Sequence, residues 1–179
     1  MRDTSIAATT RIGFAKRLIQ RLRLSIPSLS HALIGAVLWG ALMGASALNN
    51  LLWDAWETTG QIRFVSMLYA IGGLLAFPLG LFISKFIAIG RSNETAFAAA
   101  FIGLAFATVA MTAMVYAIQY RAYYAEWHAP TFSIIWFFQL VFTAVVSSYQ
   151  FAVLGLRLFF PLGFAALFAA SLWFARLPR

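Results

Sequence analysis

Long stretches without a charged residue alternate along this chain with short polar segments. The uncharged runs cover about 33–52, 64–84, 96–118, 132–155 and 158–175. A helix that crosses a hydrocarbon core of about 30 Å needs roughly 20 apolar residues, and the first four runs meet that length. The last run has 18 residues and would measure roughly 27 Å as a helix, which is just long enough. The pattern predicts an all-α integral membrane protein, a bundle of about five transmembrane helices.

The boundary between the last two runs is narrow, because only Arg157 separates them. Proline is tolerated in the first turn of a helix, so Pro161 favours a new helix that starts near Leu158. If that fifth run does not span the membrane, the bundle has four transmembrane helices, and this alternative stays open. Pro78, within the second run, predicts a kink.

The segment from Thr10 to Leu24 has the pattern of an amphipathic helix when its residues are placed at 100° intervals. Its apolar side carries Ile12, Ala15, Leu18, Ile19 and Leu22, and its other side carries Lys16, Arg17, Gln20 and Arg23. We interpret it as a basic helix in the cytoplasmic membrane interface. An organellar transit peptide and a frayed basic tail are the alternatives. The chain then divides into a cytoplasmic segment, 1–30, and a transmembrane domain, 31–179.

Composition supports the membrane interpretation, since 63% of residues are hydrophobic and only 10% are charged. A soluble domain of this size could not bury that much apolar surface. The net charge is +8, and six cations precede the first apolar run: Arg2, Arg11, Lys16, Arg17, Arg21 and Arg23. This placement fits the positive-inside rule and attraction to anionic lipids better than nucleic-acid binding. We expect no nucleic-acid partner.

Loop charges predict the orientation of the bundle. With the N-terminus in the cytoplasm, nine cations lie inside, including Lys85, Arg91 and Arg157, and four lie outside. Five spans would put Arg176 and Arg179 outside, against this bias, and four spans would remove the conflict. We expect a bacterial inner membrane, with an organellar membrane as the alternative.

Small residues recur at every fourth position on the first two predicted helices. The stripes are Ala36, Gly40 and Gly44 on the first, and Gly72, Ala76, Gly80 and Ser84 on the second. Such stripes allow close approach of helix backbones in lipid. We interpret them as packing surfaces, either within the chain or against a membrane-protein partner or a second copy.

Polar residues form matching stripes on the third and fourth predicted helices. These are Thr108, Thr112, Tyr116 and Gln119 on one helix, and Gln139, Thr143, Ser147 and Gln150 on the other. Antiparallel neighbours could hydrogen-bond along this seam, either to hold the helices together or to line a path for a neutral solute. Ion pathways usually need ionisable groups at depth, which favours the packing interpretation.

The predicted outer loops hold most of the remaining chemistry. A candidate site there comprises Asp54, Glu57, Arg121, Glu126 and His128. Carboxylate and imidazole groups are suitable ligands for a divalent cation, but aromatic residues around them are typical of an interfacial belt on solvated loops. The chain has no cysteine, which excludes disulfides and cysteine-ligated metals.

No pattern for a catalytic triad, a phosphate-binding loop or a zinc protease is present. We therefore expect no cofactor or bound metal and no catalytic residues, although the sequence does not decide whether the protein is an enzyme. The preferred hypothesis is a non-enzymatic scaffold, accessory or assembly subunit of a membrane complex. The alternatives are a small transporter or binding protein for a neutral or amphiphilic solute, and a membrane enzyme with a site in the outer loops.

Overall fold

The computed structural model describes residues 16–54 and 58–177, and within these ranges the chain forms helices and no strand. Residues 16–25 are the described part of α1. The helices that follow are α2 (Leu29–Asp54), α3 (Thr59–Ala88), α4 (Asn93–Tyr124), α5 (Ile134–Gln150) and α6 (Leu162–Ala175). Short irregular helical turns follow α4 at Ala125–Trp127 and join α5 to α6 at Phe151–Gly155 and Leu156–Phe159. The predicted all-helical class is confirmed.

Four helical stretches of the described chain are long and apolar enough to cross a membrane. They are Leu29–Asp54, Thr59–Ala88, Asn93–Trp127 and Ile134–Phe159. The fifth apolar run forms α6, which has 14 residues and a length of roughly 21 Å. That is shorter than a hydrocarbon core of about 30 Å, so α6 differs from the full-length fifth span that the sequence predicted.

Polar caps set where three of these helices begin. The side chains of Thr58, Ser92 and Ser133 accept hydrogen bonds from backbone N–H groups in the first turns of α3, α4 and α5. The turn between α3 and α4 contains Gly90 at φ +69°, a backbone conformation that side chains disfavour. Within α3 the helix continues through Pro78 without a break.

The small-residue stripes lie at helix contacts inside the chain. A Cβ on Gly40 would lie 2.7 Å from the carbonyl oxygen of Ala70, so α2 is in backbone contact with α3. On its other side α3 meets α4, where a Cβ on Gly72 would overlap Thr112 and a Cβ on Gly80 would lie 2.8 Å from Leu104. The stripes therefore do not face each other. The alanines of the two stripes, Ala36 and Ala76, are buried, as is Gly44 on α2.

The remaining helices cover parts of this three-helix core. Helix α6 packs mainly against α4 and also against α2. Its aromatic side chains meet those of α4 in antiparallel order, since Phe164 contacts Phe101 and Phe168 contacts Phe97. Among the longer helices, α5 has extensive contact only with α4.

The Arg21 side chain attaches helix α1 to the end of α3. Arg21 donates from Nε to the carbonyl of Phe86 at 2.9 Å and from Nη2 to those of Ile87 and Ile89 at 3.3 and 3.4 Å. The last carbonyls of a helix lack internal partners and carry a partial negative charge, which a guanidinium satisfies. The apolar side chains Leu18, Ile19 and Leu22 are exposed. Residues 10–15 of the predicted amphipathic helix lie outside the described residues.

The two ends of the bundle differ in charge. The end that holds α1, the α3–α4 turn and the last turn of α6 is here called the basic end. Its described cations are Lys16, Arg17, Arg21, Arg23, Lys85, Arg91 and Arg176. The opposite end, where α2 and α4 finish, holds Arg63, Arg121 and Arg157.

Two charges lie at the other end from the one predicted. Arg157 was assigned to the N-terminal side, but its guanidinium lies 3.2 Å from the Asp54 carboxylate, at the opposite end. Arg176 was assigned to the side away from the N-terminus. Its neighbours Phe174 and Leu177 instead share a groove with Leu24 and Lys85. Both differences arise because α6 returns the chain to the basic end.

Candidate functional site

The most unusual feature of the described chain is a break between α5 and α6, here called the helix break and comprising residues 151–161. Helix α5 descends antiparallel to the end of α4: the Ala129 N–H donates to Gln139 Oε1 at 2.8 Å, and the Tyr116 hydroxyl donates to Gln150 Oε1 at 3.0 Å. The α-helix ends at Gln150 and α6 begins only at Leu162. α5 and α6 thus share one passage between the two ends of the bundle.

Side chains from α2 and α3 bind the backbone of the helix break. The Ser46 hydroxyl donates to the carbonyl of Leu158 at 2.9 Å and accepts from the Gly163 N–H at 3.2 Å. Asn50 Nδ2 donates to the carbonyls of Leu158 and Phe160 at 3.3 and 2.8 Å. These bonds replace those that an unbroken helix would have made within itself.

Helix α3 contributes a third anchor, Tyr69. Its hydroxyl donates to the carbonyl of Gly155 at 2.6 Å, and its ring packs 4.9 Å from that of Phe159. A Cβ at Gly155 would lie 2.8 Å from this hydroxyl oxygen, so the close approach requires glycine. The carbonyl groups of irregular backbone need hydrogen-bond partners from elsewhere in the protein, above all in lipid, and these three side chains supply them.

A cavity of about 260 Å³ lies beside the helix break. Its walls come from α2, α4, the helix break and the start of α6, and they are almost entirely apolar. The polar groups at its wall are already bonded, since the Trp39 indole N–H donates to Thr108 Oγ1 at 3.0 Å and Thr108 donates to the carbonyl of Leu104. The cavity therefore suits an apolar chain and offers no free polar group for recognition.

The predicted polar seam forms at one point only, where Tyr116 meets Gln150. On α4, Thr108 bonds with Trp39 of α2, Thr112 lies against Gly72 of α3, and Gln119 is exposed. On α5, Thr143 and Ser147 bond to carbonyls of their own helix. The two stripes do not meet along their length, because the α-helix of α5 ends level with Tyr116 and does not reach Thr108 or Thr112.

The predicted outer-loop residues do not gather into one site. Asp54 pairs with Arg157, and Arg121 lies over the Trp136 ring at 5.4 Å. Glu126 is exposed, His128 is half-buried, and Glu57 lies outside the described residues. Within 16–54 and 58–177, no three acidic or histidine side chains are placed to hold a metal ion.

Helix α5 is the least covered long helix. In its most apolar 18-residue stretch 11% of residues are buried, against 44%, 44% and 39% in the stretches containing α2, α3 and α4. Its outward face, here defined as Phe138, Phe142, Val145 and Tyr149, is exposed along its whole length. Among the described residues the Tyr149 hydroxyl has no hydrogen-bond partner. This face is therefore open in the described part of the bundle.

Sequence reasoning missed the three anchors of the helix break. Ser46 and Asn50 lie four residues apart on a mostly apolar helix, and Tyr69 lies within an apolar run. Polar groups at such positions need partners, and this was the available signal. Their partners, however, are backbone carbonyls more than 80 residues away, which no local pattern indicates.

No protein-family model, curated protein or solved structure matches this chain.

Proposed function

We propose that this chain is a non-enzymatic accessory or assembly subunit of a membrane complex, and that the outward face of α5 binds a helix of its partner. The observation that carries the proposal is the low coverage of α5 compared with the other long helices. A helix that packs on one neighbour only is suited to contact a second protein.

The outward face has the chemistry of a helix-binding surface in a membrane. Phe138, Phe142 and Val145 supply apolar contact area at helical spacing, and Tyr149 adds a hydroxyl that is not bonded within the described chain. An unbonded hydroxyl in lipid is unfavourable, whereas a polar group of a partner helix would satisfy it. Lipid would cover the aromatic side chains but would leave this hydroxyl without a partner.

The close-packed core fits the same role. Helices α2, α3 and α4 contact each other through glycine and alanine at backbone distance, and an unbroken hydrogen-bonded path for a solute is absent from the described part of the bundle. A transporter would need the polar seam, and an outer-loop enzyme would need its acidic and histidine residues together. The geometry therefore favours an accessory or assembly subunit over a transporter or an outer-loop enzyme.

The proposed orientation places the basic end in the cytoplasm of a bacterial cell. Seven described cations lie there and three at the opposite end, which agrees with the positive-inside rule.

Position-specific photo-crosslinking in native membranes tests the proposal. A photoreactive amino acid replaces Val145 on α5, which is 59% exposed, or Val37 on α2, which is 63% exposed and serves as the matched control. We expect a discrete adduct with a different membrane protein from position 145 and none from position 37. An adduct with the mass of two copies of this chain would indicate a homo-oligomer and contradict the proposal. Adducts of equal yield from both positions, or no adduct from position 145, would also contradict the proposal.

A further inference from the structure

A groove opens at the basic end where three separate segments meet. Leu24 from the end of α1, Lys85, Ala88, Ile89 and Gly90 from the end of α3, and Phe174 and Leu177 from the end of α6 line it. It encloses about 430 Å³. That volume is about three times the roughly 150 Å³ of a cavity that binds benzene. The chain's own described side chains leave it open.

The lining of this basic groove combines one cation with apolar surface. Lys85 is half-buried, and no ion pair joins its ammonium to a carboxylate within residues 16–54 and 58–177. The described acid at this end is Glu94, which does not line the groove. A partly buried ammonium is stabilised by an anion beside it.

The surroundings increase the attraction for an anion. Arg23, Arg91 and Arg176 lie on segments that adjoin the groove, and all three are exposed. In the orientation proposed above, the basic end meets a membrane surface, where the anion available in greatest amount is a lipid headgroup. A headgroup brings an acyl chain, and the apolar lining matches it.

We propose that the basic groove binds an anionic phospholipid, with its phosphate against Lys85 and the start of an acyl chain against Leu24 and Phe174. The bound lipid then bridges α1 to the ends of α3 and α6, and adds to the Arg21 bonds that hold α1 on the bundle. This inference is independent of the α5 interface.

Native mass spectrometry of the full chain in mild detergent tests it. Phosphatidylglycerol and phosphatidylcholine with identical acyl chains are titrated, and glycerol 3-phosphate is added as a soluble headgroup. We expect the chain to retain one phosphatidylglycerol preferentially and to bind neither phosphatidylcholine nor glycerol phosphate comparably. Equal retention of the two lipids would overturn the proposal. Binding of glycerol phosphate as tight as that of the lipid would indicate a free-phosphate site instead.

Charge-matched variants locate the site. Lys85→Gln should weaken phosphatidylglycerol binding about fivefold, the loss expected for one cation at a membrane surface. Arg17→Gln removes the same charge at the same end, seven residues before the lining residue Leu24 and so roughly 10 Å from it along α1. The affinity of this variant should stay within about twofold, since exposed charges at about a Debye length are largely screened. An equal loss of phosphatidylglycerol affinity in both variants would show that only the overall positive charge matters, and would overturn the proposed site.

Two further variants keep the test valid if Lys85→Gln is unstable. Lys85→Arg retains the cation and should retain lipid binding. Leu24→Glu changes a side chain that is 62% exposed, so the bundle should tolerate it. It places a carboxylate at the groove and should weaken phosphatidylglycerol binding at least as much as Lys85→Gln. Unchanged affinity in Leu24→Glu would contradict the proposed position of the lipid.

Discussion

The absence of a side chain at Gly72 allows the backbones of α3 and α4 to approach closely, because an added Cβ would clash with both the side chain and the Cα of Thr112. Gly60, on the same helix, has open space around the position of a Cβ. The same substitution at these two residues therefore separates the intrinsic helical preference of alanine from the steric demand of the contact. In lipid, such contacts carry the helix association that the hydrophobic effect supplies in water.

Gly72→Ala should lower the stability of the folded bundle by about 1–3 kcal/mol, the usual loss when a well-packed contact is overfilled. Gly60→Ala should leave stability unchanged or raise it by up to about 1 kcal/mol, because alanine favours helix. Reversible unfolding of the purified chain in mixed detergent measures both. A Gly72→Ala variant as stable as the Gly60→Ala variant would contradict the steric role of the contact with Thr112.

Among the elements, α5 and α6 depend on other helices for their geometry. The helix break exposes backbone carbonyls of Gly155, Leu158 and Phe160, which α2 and α3 satisfy through Ser46, Asn50 and Tyr69. An unsatisfied buried acceptor costs about 1–3 kcal/mol, so these side chains decide whether the break is stable. The outward face of α5 stays uncovered because, after Gln150, the chain continues into α6, which packs against α4 and α2 and has no extensive contact with α5.

Asn50→Leu should destabilise the helix break, while Asn49→Leu should have little effect, since Asn49 is exposed and Asn50 donates to two carbonyls of the break. The chain has no cysteine, so a single cysteine at Leu158, which is buried in the folded chain, reports the local opening of the helix break through its rate of maleimide labelling. We expect the cysteine in the Asn50 variant to be labelled about 5- to 100-fold faster. This range corresponds to a loss of about 1–3 kcal/mol in the stability of the helix break when one carbonyl acceptor loses its hydrogen bond. If the Asn50 variant is labelled as slowly as the Asn49 variant, Asn50 does not stabilise the helix break.

At the scale of the whole molecule, the helix break determines at which end of the bundle the last described residues lie. Leu177 lies in the basic groove beside Lys85, at the end that holds α1. The described chain therefore passes between the two ends an even number of times, with α5 and α6 together as the last passage. This arrangement moves Arg176 to the cation-rich end and resolves the conflict that the loop charges presented for five full spans.

Single cysteines at Arg91, Arg176 and Thr131 test this topology in sealed membranes of known orientation. An impermeant maleimide should reach Arg91→Cys and Arg176→Cys from the same side, and Thr131→Cys from the other. Permeabilised membranes provide the control for reactivity at each position. Labelling of the Arg176 variant together with the Thr131 variant would require α6 to leave the bundle at the opposite end.

The sequence alone determined the helical class, the long apolar helices and the excess of cations around α1. These properties follow from composition and local spacing, because lipid requires a long, uncharged helix wherever a chain crosses it. The small-residue stripes could also be recognised from the sequence, since residues at a spacing of four lie on one face of a helix. The helix that each stripe contacts could not be predicted, because the spacing carries no information about neighbouring helices.

The tertiary structure decided the end of α5, the length of α6 and the destination of the polar side chains. A continuous seam required α5 to run past Thr108, yet the α-helix stops at Gln150, level with Tyr116. That stop depends on hydrogen bonds from Ser46, Asn50 and Tyr69 to a backbone more than 80 residues away. Apolarity is a local property of the chain, but the satisfaction of a broken backbone is a contact between distant segments, and only the folded bundle brings them together.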